Sequence, residues 1–586
     1  MAVVSCARPA LFREQPGFNS TPLDTRYTEP EMPTKMTGKK ALLEMLKAEG
    51  VEYIFGNPGT SEGPIIDALE DFPEFKYILA LQEGVAVGMG DAYARATGRA
   101  AFVSLHIDSG LANGISLMQD AFTTGTPMVV VSANYDTRKL AERKTDLAEM
   151  VRSVTKWSVE LTHPDQIPSV MRRAFNEANT HPRGPVYVGL TSNALDGEAE
   201  MNIIPSNQVY DAGGPDPAGI AQAAELLSRS ERGIMLIGDR VGEGDAVREA
   251  VETAELLGLP VYQAPGGNVG FPTTHPQFMG ALALRRSEHR EVISRADAVL
   301  AVGADIFSDL FYFTDVQLQE STKLIHIDPR PGAVGRSEPT DIGILASPKL
   351  ALAALSKAVS DGLTEDQKTT IDDRREAVAD ARNAERMAYE AGVAELWDND
   401  LMTPARMMSA LADALPDNAV VLDDSVSSKG ALRHYIQGSE PGDLIGGRGG
   451  AIGWGIGATM GAKCANPDRP VIGIIGDGSS MMTIQGLWTA ANDDIPCVFV
   501  ICNNGMYRVL KVNMDIYKND VLQEEEAGSS YLYMDFPTPF DVAAIANSMG
   551  VHGERITKPE EIKPALDRAL ASGKPALLDM VIDGAL

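Results

Sequence analysis

Between Arg469 and Leu510 the chain reads RPVIGIIGDGSSMMTIQGLWTAANDDIPCVFVICNNGMYRVL. Two apolar runs, 471–475 and 497–502, flank a segment with a helical pattern over 481–492 and a turn after it. Short continuous apolar runs of this kind are typical of buried parallel strands. The stretch therefore predicts a strand–helix–strand unit, whose right-handed crossover lays the two strands side by side or nearly so.

Polar residues follow each of these two predicted strands. Asp477, between Gly476 and Gly478, follows the first strand, and Asn504 follows the second. Both side chains then lie at the carboxyl edge of one sheet, where open α/β sheets bind ligands. Their oxygens suit Mg²⁺ or Ca²⁺ better than zinc, and the glycines let backbone N–H groups approach a phosphate. We predict a metal–diphosphate site; an ordinary strand–turn–helix is the alternative.

Length and composition indicate a globular protein of roughly three or four domains, since the chain has 586 residues. The net charge of −30 argues against nucleic-acid and anionic-membrane partners. An apolar run long enough to span a membrane is absent from the sequence. The four cysteines lack zinc-site spacing and predict reduced thiols in a cytoplasmic protein. Residues 1–36 are predicted to form a flexible extension, and an N-terminal arm that lies across a partner subunit is the alternative.

The segment 37–195 alternates strands and helices, which predicts a doubly wound parallel sheet. Within it, LALQEGVAVGMGDAYARATG places Glu83 between an apolar strand and a Gly/Ala-rich helix. We expect this carboxylate to be at least partly buried, so that it needs a partner. The alternative is a helix N-terminal Glu stabilised by the dipole. His106 ends the strand 101–105 and is either a functional histidine or one satisfied by the backbone.

The remainder of the chain divides further. A linker is predicted over 193–217, a central α/β domain over 215–358 and a helical linker over 359–402. The central domain lacks a G-x-G-x-x-G motif, so a structural role is favoured over a nucleotide site. The last domain, 403–586, begins at Thr403-Pro404, a good helix N-cap and first residue.

The GDG motif is followed by Asn-Asn, and Asn504 lies 27 positions after Asp477. This motif and interval resemble the thiamine-diphosphate binding motif of thiamine-diphosphate-dependent enzymes. The resemblance implies three doubly wound parallel-sheet α/β domains: pyrimidine-binding, central and diphosphate-binding. It also implies that Asp477, Asn504 and the Met506 carbonyl hold the metal, and that Glu83 hydrogen-bonds the cofactor aminopyrimidine. The further cofactor contacts implied are Asn113, Ser427, Gly450, Ile452, Gly476, Gly478, Ser479 and Tyr507.

Within this family the chain is most similar to benzoylformate decarboxylase and related 2-oxoacid decarboxylases. The similarity is carried by GNPGT, YILALQE, LH at 105–106, FPTTHP at 271–276 and NNG-x-Y. It implies that Thr60 contacts the substrate carboxylate and that His106 transfers protons. The residues expected to line the substrate pocket differ from those of the family. Leu310 stands where the family has a second histidine. Val426 replaces a hydroxyl residue, and Val509 and Asn513 replace residues that shape an aromatic pocket.

The resemblance implies a non-oxidative decarboxylase of a 2-oxo acid, dependent on thiamine diphosphate and Mg²⁺ (or Ca²⁺), that works through a C2 carbanion and an enamine. A carboligase or lyase acting on an aldehyde or hydroxyketone, like acetolactate synthase or benzaldehyde lyase, is the alternative. A non-catalytic nucleotide-binding protein is a third hypothesis, against which Glu83, Asp477 and Asn504 argue. Some relatives bind FAD in the central domain, which is the less favoured prediction here. The family also implies a homodimer or homotetramer with active sites between subunits.

Overall fold

A computed structural model describes residues 33–139, 141, 145–207, 213–314, 318–524 and 530–585. Most of the predicted extension, 1–36, lies outside these ranges. The described chain forms three α/β units, each built on a six-stranded parallel sheet, as predicted. Within the described ranges, none of the helices is long and apolar enough to cross a membrane.

The first unit carries the Glu83 segment. Its sheet has the strand order β3-β2-β4-β5-β7-β6, and a small antiparallel pair, β1 with β8, lies beside it. The elements are β1 (Thr34–Thr37), α1 (Gly38–Ala48), β2 (Tyr53–Asn57), α2 (Gly63–Ala68), β3 (Lys76–Leu79), α3 (Glu83–Thr97), β4 (Ala101–Leu105), α4 (Ser109–Thr124), β5 (Met128–Asn134), α5 (Leu147–Met150), β6 (Trp157–Leu161), α6 (Ile167–Asn179), β7 (Pro185–Thr191), α7 (Ser192–Asp196) and β8 (Glu198–Met201).

The central unit repeats this architecture with the strand order β11-β10-β9-β12-β13-β14. Its inner strands β9 and β12 are made of apolar residues and glycine and are fully buried, which is expected when helices cover both faces of a parallel sheet. The elements are α8 (Pro217–Arg229), β9 (Gly233–Ile237), α9 (Asp239–Glu243), α10 (Val247–Leu257), β10 (Val261–Gln263), β11 (Phe278–Ala281), α11 (Ser287–Arg295), β12 (Ala298–Val302), β13 (Lys323–Asp328), β14 (Ile342–Leu345), α12 (Pro348–Gly362) and then α13 (Glu365–Ala394).

The last unit contains the motif region in a sheet of strand order β16-β15-β17-β18-β20-β19. Strands β17 and β18 pair in parallel, so the predicted strand–helix–strand unit is confirmed. The elements are α14 (Pro404–Ala414), β15 (Val420–Asp424), α15 (Lys429–Tyr435), β16 (Leu444–Gly446), α16 (Trp454–Ala465), β17 (Val471–Gly476), α17 (Asp477–Ser480), α18 (Gly486–Asn492), β18 (Val498–Asn503), α19 (Arg508–Ile516), α20 (Val542–Ser548), β19 (His552–Ile556), α21 (Pro559–Ala571) and β20 (Ala576–Val581).

The helical linker and the start of the last unit follow the prediction. Helix α13 runs for 30 residues, and Ile371 is its one buried residue. This exposure fits its charge-dense sequence. Thr403 caps α14 by accepting a hydrogen bond from the Arg406 N–H at 3.1 Å, and Pro404 is the first helical residue.

Two sequence-based expectations are wrong. The helix predicted over 481–492 is broken: α17 ends at Ser480 and α18 begins at Gly486. The chain between them is held in turns because the Thr483 hydroxyl donates to the Gly453 carbonyl at 2.6 Å. The linker predicted over 193–217 is wrong in its first part only, because helix α7 and strand β8 extend to Met201 and β8 pairs with β1.

The first and last units pack together through helices α3 and α16. Gly88 and Gly461 make this close crossing possible. A Cβ on Gly88 would lie 3.2 Å from the Trp454 carbonyl oxygen, and one on Gly461 would lie 2.0 Å from the Met89 carbonyl oxygen. Small residues at these positions let the two backbones approach. The Asp91 carboxylate on α3 accepts a hydrogen bond from the Trp454 indole on α16 at 2.8 Å, which joins the two helices.

Candidate active site

The Asp477 carboxylate lies at the carboxyl end of β17 and is almost fully buried. Its Oδ1 accepts a hydrogen bond from the Gly478 N–H and its Oδ2 accepts one from the Gly505 N–H, both at 2.8 Å. Burial raises the pKa of Asp477 to about 6, although these hydrogen bonds lower it. A divalent cation beside this carboxylate would stabilise its charged form.

Asn504 follows β18 on the same edge, as predicted. Its Oδ1 accepts a hydrogen bond from the Met506 N–H at 3.1 Å, which orients the amide oxygen. Its Nδ2 lies 3.4 Å from the Ser427 hydroxyl. The neighbour of Ser427, Val426, adopts φ 51°, a left-handed conformation that is strained for a β-branched residue. The fold thus brings Asp477 and Asn504 together with Ser427.

The glycine-rich loop before α16 is tied to the GDG turn by a buried network. The Ser479 hydroxyl donates to Asp424 Oδ2 at 2.6 Å and accepts from the Gly453 N–H at 2.7 Å. Asp424 Oδ2 also accepts from the Gly455 N–H at 2.9 Å. Burial raises the pKa of Asp424 to about 7. The Ser479 hydroxyl is thus engaged within the protein, as donor to Asp424 and as acceptor from Gly453.

The residues predicted around the loop and the motif lie near this network. Gly450 adopts φ 83°, and Ile452 remains 37% exposed although it is apolar. The Tyr507 ring packs against Gly478, where a Cβ would lie 2.5 Å from the ring. Glycine is therefore required at 478 by the close approach of Tyr507.

Glu83 is the first residue of α3 and is 5% exposed, so the expectation of burial is confirmed. Its Oε1 accepts a hydrogen bond from Asn57 Nδ2 at 2.9 Å, and its Oε2 accepts one from Asn113 Nδ2 at 3.0 Å. Two neutral amides therefore hold the carboxylate in place. A Cβ on Gly110 would lie 2.9 Å from Glu83 Oε1, so this glycine leaves room for the carboxylate.

His106 forms a second group at the same sheet edge. Its Nδ1 lies 2.8 Å from Glu62 Oε2 and 3.1 Å from the Ser61 hydroxyl. Glu62 is fully buried, and its two oxygens also accept backbone N–H groups from Gly59 and Ala133, both at 3.0 Å. An acceptor-only carboxylate at Nδ1 places the proton there, so Nε2 is left as the acceptor. His106 is thus oriented by side chains and not by the backbone.

The residues predicted on the substrate side are more open. Thr60 is exposed beside Ser61, and the Leu310 side chain is 80% exposed. Val509 and Asn513 lie one turn apart on α19, and Asn513 accepts a hydrogen bond from Arg285 of the central unit. His434, in contrast, hydrogen-bonds Glu390 at 2.7 Å and stacks on the Tyr389 ring.

Sequence reasoning missed several residues of these groups. The pair Ser61-Glu62 directly follows the GNPGT segment, and the Glu62 carboxylate accepts a hydrogen bond from the Gly59 N–H at 3.0 Å. Asn57 stands inside that same segment, and Asp424 ends strand β15, so its place at the carboxyl edge of the sheet was a local signal. Arg285 carries no such signal and is recognisable only from its three-dimensional contacts.

Known proteins share this organisation. Sequence profiles described as thiamine pyrophosphate enzyme domains match the chain in order: the N-terminal TPP binding domain over 36–155, the central domain over 220–355 and the C-terminal TPP binding domain over 424–580. The chain belongs to this thiamine pyrophosphate (thiamine diphosphate) enzyme family. Its three parallel-sheet domains are those of the family, and the protein is a thiamine-diphosphate-dependent enzyme.

Individual members of the family align over nearly the whole chain. Benzoylformate decarboxylase of Pseudomonas aeruginosa is 30% identical over 93% of this chain and 98% of its own length. The acetolactate synthase large subunit of Haemophilus influenzae is 26% identical over 94% and 95%, respectively. Among solved structures, the thiamine diphosphate-dependent 4-hydroxybenzoylformate decarboxylase of Rhodococcus jostii has a TM-score of 0.79 and 27% identity, covering 94% of this chain and 99% of that one. The relatives thus include both decarboxylases and carboligases.

Proposed function

We propose that this enzyme is a Mg²⁺-dependent, non-oxidative decarboxylase of a 2-oxo acid. The observation that carries the proposal is the pair of groups at one sheet edge: Glu83 held by two amides, and His106 held by Glu62. Such a carboxylate, and a histidine whose Nε2 has no hydrogen-bond partner among the described residues, supply the proton handling that a decarboxylation needs.

The donor set of the last domain fits a metal-bound diphosphate. Asp477 is a buried carboxylate without a cationic partner among the described side chains, and Asn504 adds a neutral oxygen. With the Met506 carbonyl they form an oxygen-only set, which Mg²⁺ or Ca²⁺ prefers. Gly476, Gly478 and Ser479 would meet the diphosphate through backbone N–H groups at the start of α17.

The protein's own residues have separate tasks in this proposal. Thiamine diphosphate, when bound, supplies an electron sink for the carbon–carbon bond that breaks as carbon dioxide leaves. Glu83 holds the aminopyrimidine by a hydrogen bond, and Asn113 holds Glu83. Thr60 binds the substrate carboxylate. His106 Nε2 takes up or returns the proton at the reacting carbon.

Carboligation is the second candidate, and one observation favours it. The segment 303–313 contains no histidine, and its exposed residue Leu310 stands where a second proton donor is expected. With one proton donor fewer, release of an aldehyde is slowed, and attack on a second carbonyl competes with it. A hydroxyketone would then be the product.

The central domain is proposed to be structural. The carboxyl edge of its sheet is filled by its own charges: Arg240 donates to Asp328 at 2.9 and 2.7 Å, and Arg330 to Asp305 at 2.7 Å. Although burial opposes it, the surrounding arginines hold the pKa of Asp305 below its usual range. Such a filled edge leaves FAD little room. Flavin absorbance in the purified, denatured protein would contradict this role.

Product analysis tests the function. Purified protein is incubated with thiamine diphosphate, Mg²⁺ and a panel of 2-oxo acids, with and without an acceptor aldehyde. Carbon dioxide together with an aldehyde supports the decarboxylase, whereas a hydroxyketone as the main product supports the carboligase. Glu83→Gln should abolish either reaction, and turnover without loss in this variant would contradict the proposed role of Glu83.

A further inference from the structure

A charged group lies where the central and last domains meet. Arg285 follows strand β11 of the central sheet, and Asp309 lies in the segment after β12. Arg285 Nη1 donates a hydrogen bond to Asn513 Oδ1 on α19, the helix that directly follows the Asn504 loop. The segments that follow the carboxyl ends of strands in two sheets thus meet here, the kind of place at which α/β proteins bind ligands.

The Arg285 guanidinium is fixed but not covered. Its Nε donates to both Asp309 oxygens at 3.0 Å, and the guanidinium carbon lies 5.2 Å from the centre of the Phe311 ring. The side chain is nevertheless 30% exposed. In the part of the chain that the structure describes, its Nη2 has no hydrogen-bond partner. Arg285 therefore keeps donors that an incoming ligand can use.

We infer that Arg285 recognises a second carboxylate on the substrate, so that the preferred substrates are 2-oxo dicarboxylic acids. The inference rests on the proposed function, since it names the substrate class of that reaction. A guanidinium already held by Asp309, Phe311 and Asn513 loses little freedom when its Nη2 donates to a carboxylate. Val509 and Asn513 are four positions apart, so they lie on the same face of α19, and Asn513 contacts Arg285.

The charge of the whole molecule supports this assignment. A dianionic substrate approaching a chain of net charge −30 meets repulsion unless a local cation compensates for it. Arg285 is such a cation on the substrate side of α19. Asp309 balances the formal charge of Arg285 through the Nε–H, whereas the Nη2 hydrogens have no acceptor among the described residues.

A clamp between two domains is the competing explanation of the same contacts. Phe311 stacks on Tyr517, with ring centres 6.4 Å apart, and this contact already joins the domains without Arg285. If Arg285 only joined the two domains, the rate would not depend on whether the substrate carries a second carboxylate. Substrate preference therefore separates the two explanations.

The test measures kcat/KM of the holoenzyme for pairs of 2-oxo acids of equal carbon number. The dicarboxylates are 2-oxoglutarate and 2-oxoadipate, and the monocarboxylates are 2-oxopentanoate and 2-oxohexanoate. The wild-type enzyme should prefer the dicarboxylates. Arg285→Leu should lower kcat/KM for them by about 30-fold or more, because one partner of a charge pair is lost. The monocarboxylates should be converted almost as before.

Two further variants keep the result interpretable. Arg286→Leu removes the neighbouring arginine, which is half-exposed and paired with Glu288, and should leave the preference unchanged. Asn513→Asp adds a negative charge beside Arg285 and should also disfavour dicarboxylates, even where Arg285→Leu folds poorly. An equal loss for both substrate types, or a wild-type preference for monocarboxylates, would overturn the inference. If only monocarboxylates release carbon dioxide, the inference about Arg285 is wrong but the proposed decarboxylase function is kept. If no 2-oxo acid releases carbon dioxide, the proposed function is wrong as well.

Discussion

At the scale of single residues, the buried Glu62 carboxylate orients the partly exposed side chain of His106. Both of its oxygens accept backbone N–H groups, so neither position tolerates an amide nitrogen. In Glu62→Gln the NH₂ group must face an N–H donor, at a cost of about 1–3 kcal/mol. His106 would also lose its fixed tautomer.

We therefore expect Glu62→Gln to lower kcat/KM by about 10²-fold, the lower end of what a positioned acid–base group contributes. Steady-state kinetics and thermal unfolding of the variant measure the two effects. Ser61→Ala is the matched control, because it removes one contact of His106 and leaves the Glu62 backbone bonds intact. Full activity in Glu62→Gln would contradict the orienting role.

Asp424 leads to a second prediction, on stability. Burial raises the pKa of Asp424 from 3.8 to about 7, with Lys429 and Asp423 as the charged neighbours. Between these two values the folded state keeps a proton that the unfolded state has lost. The contribution of Asp424 to stability is therefore largest below about pH 4 and falls as the pH rises towards 7, with a slope approaching about 1.4 kcal/mol per pH unit.

Asp424→Asn removes this titration, while its amide oxygen can still accept from Ser479 and Gly455. The variant should gain stability relative to the wild type as the pH rises from 5 to 8. Urea unfolding of the cofactor-free proteins at several pH values measures the difference. Parallel pH profiles for the two proteins would show that Asp424 does not titrate in this range.

At the scale of elements, the crossing of α3 and α16 determines how the first and last domains fit together. A Cβ at position 461 would lie 2.0 Å from a backbone oxygen, which cannot rotate away. Gly461→Ala should therefore destabilise the protein by about 1–3 kcal/mol or more through overpacking. Urea unfolding of the variant measures the loss.

Gly430→Ala is the control for this substitution, since it also lies in a helix but its Cβ would meet nothing within 4 Å. It should be neutral or stabilising by up to about 1 kcal/mol. Equal stabilities of the two alanine variants would contradict the close packing of α3 on α16. A loss confined to Gly461→Ala would support it.

At the scale of the whole molecule, the sequence predicts the structural features that depend on residues adjacent in the chain. Apolar runs and turn residues identified the strands around Asp477 and Asn504, because strand burial and turn geometry are local properties. Contacts between distant segments were not predictable. Glu62 meets Ala133, 71 positions away, and Arg285 meets Asn513, 228 positions away. The break in the helix predicted over 481–492 has the same cause, since Thr483 bonds the distant Gly453.

The Glu83 group and the Asp477 group are the two halves of the proposed active site, and the way they combine depends on how subunits assemble. Among the described residues, no hydrogen bond or ion pair joins the Glu83 group to the Asp477 group of the same chain. Our proposal is that the active site forms between two subunits, with Glu83 from one and Asp477 from the other. Each variant, Glu83→Gln or Asp477→Ala, should then be inactive by itself, and light scattering should give a dimer or tetramer.

Mixing the two inactive variants tests this arrangement. In a mixed dimer with sites between subunits, one site carries both substitutions and the other carries neither, so activity returns. Random mixing in equal amounts should restore about a quarter of the wild-type rate after subunit exchange, because half the dimers are mixed and each has one intact site. If each site were built within one chain, every site in the mixed dimer would carry one substitution. The mixture would then stay inactive, and the composite site would be excluded.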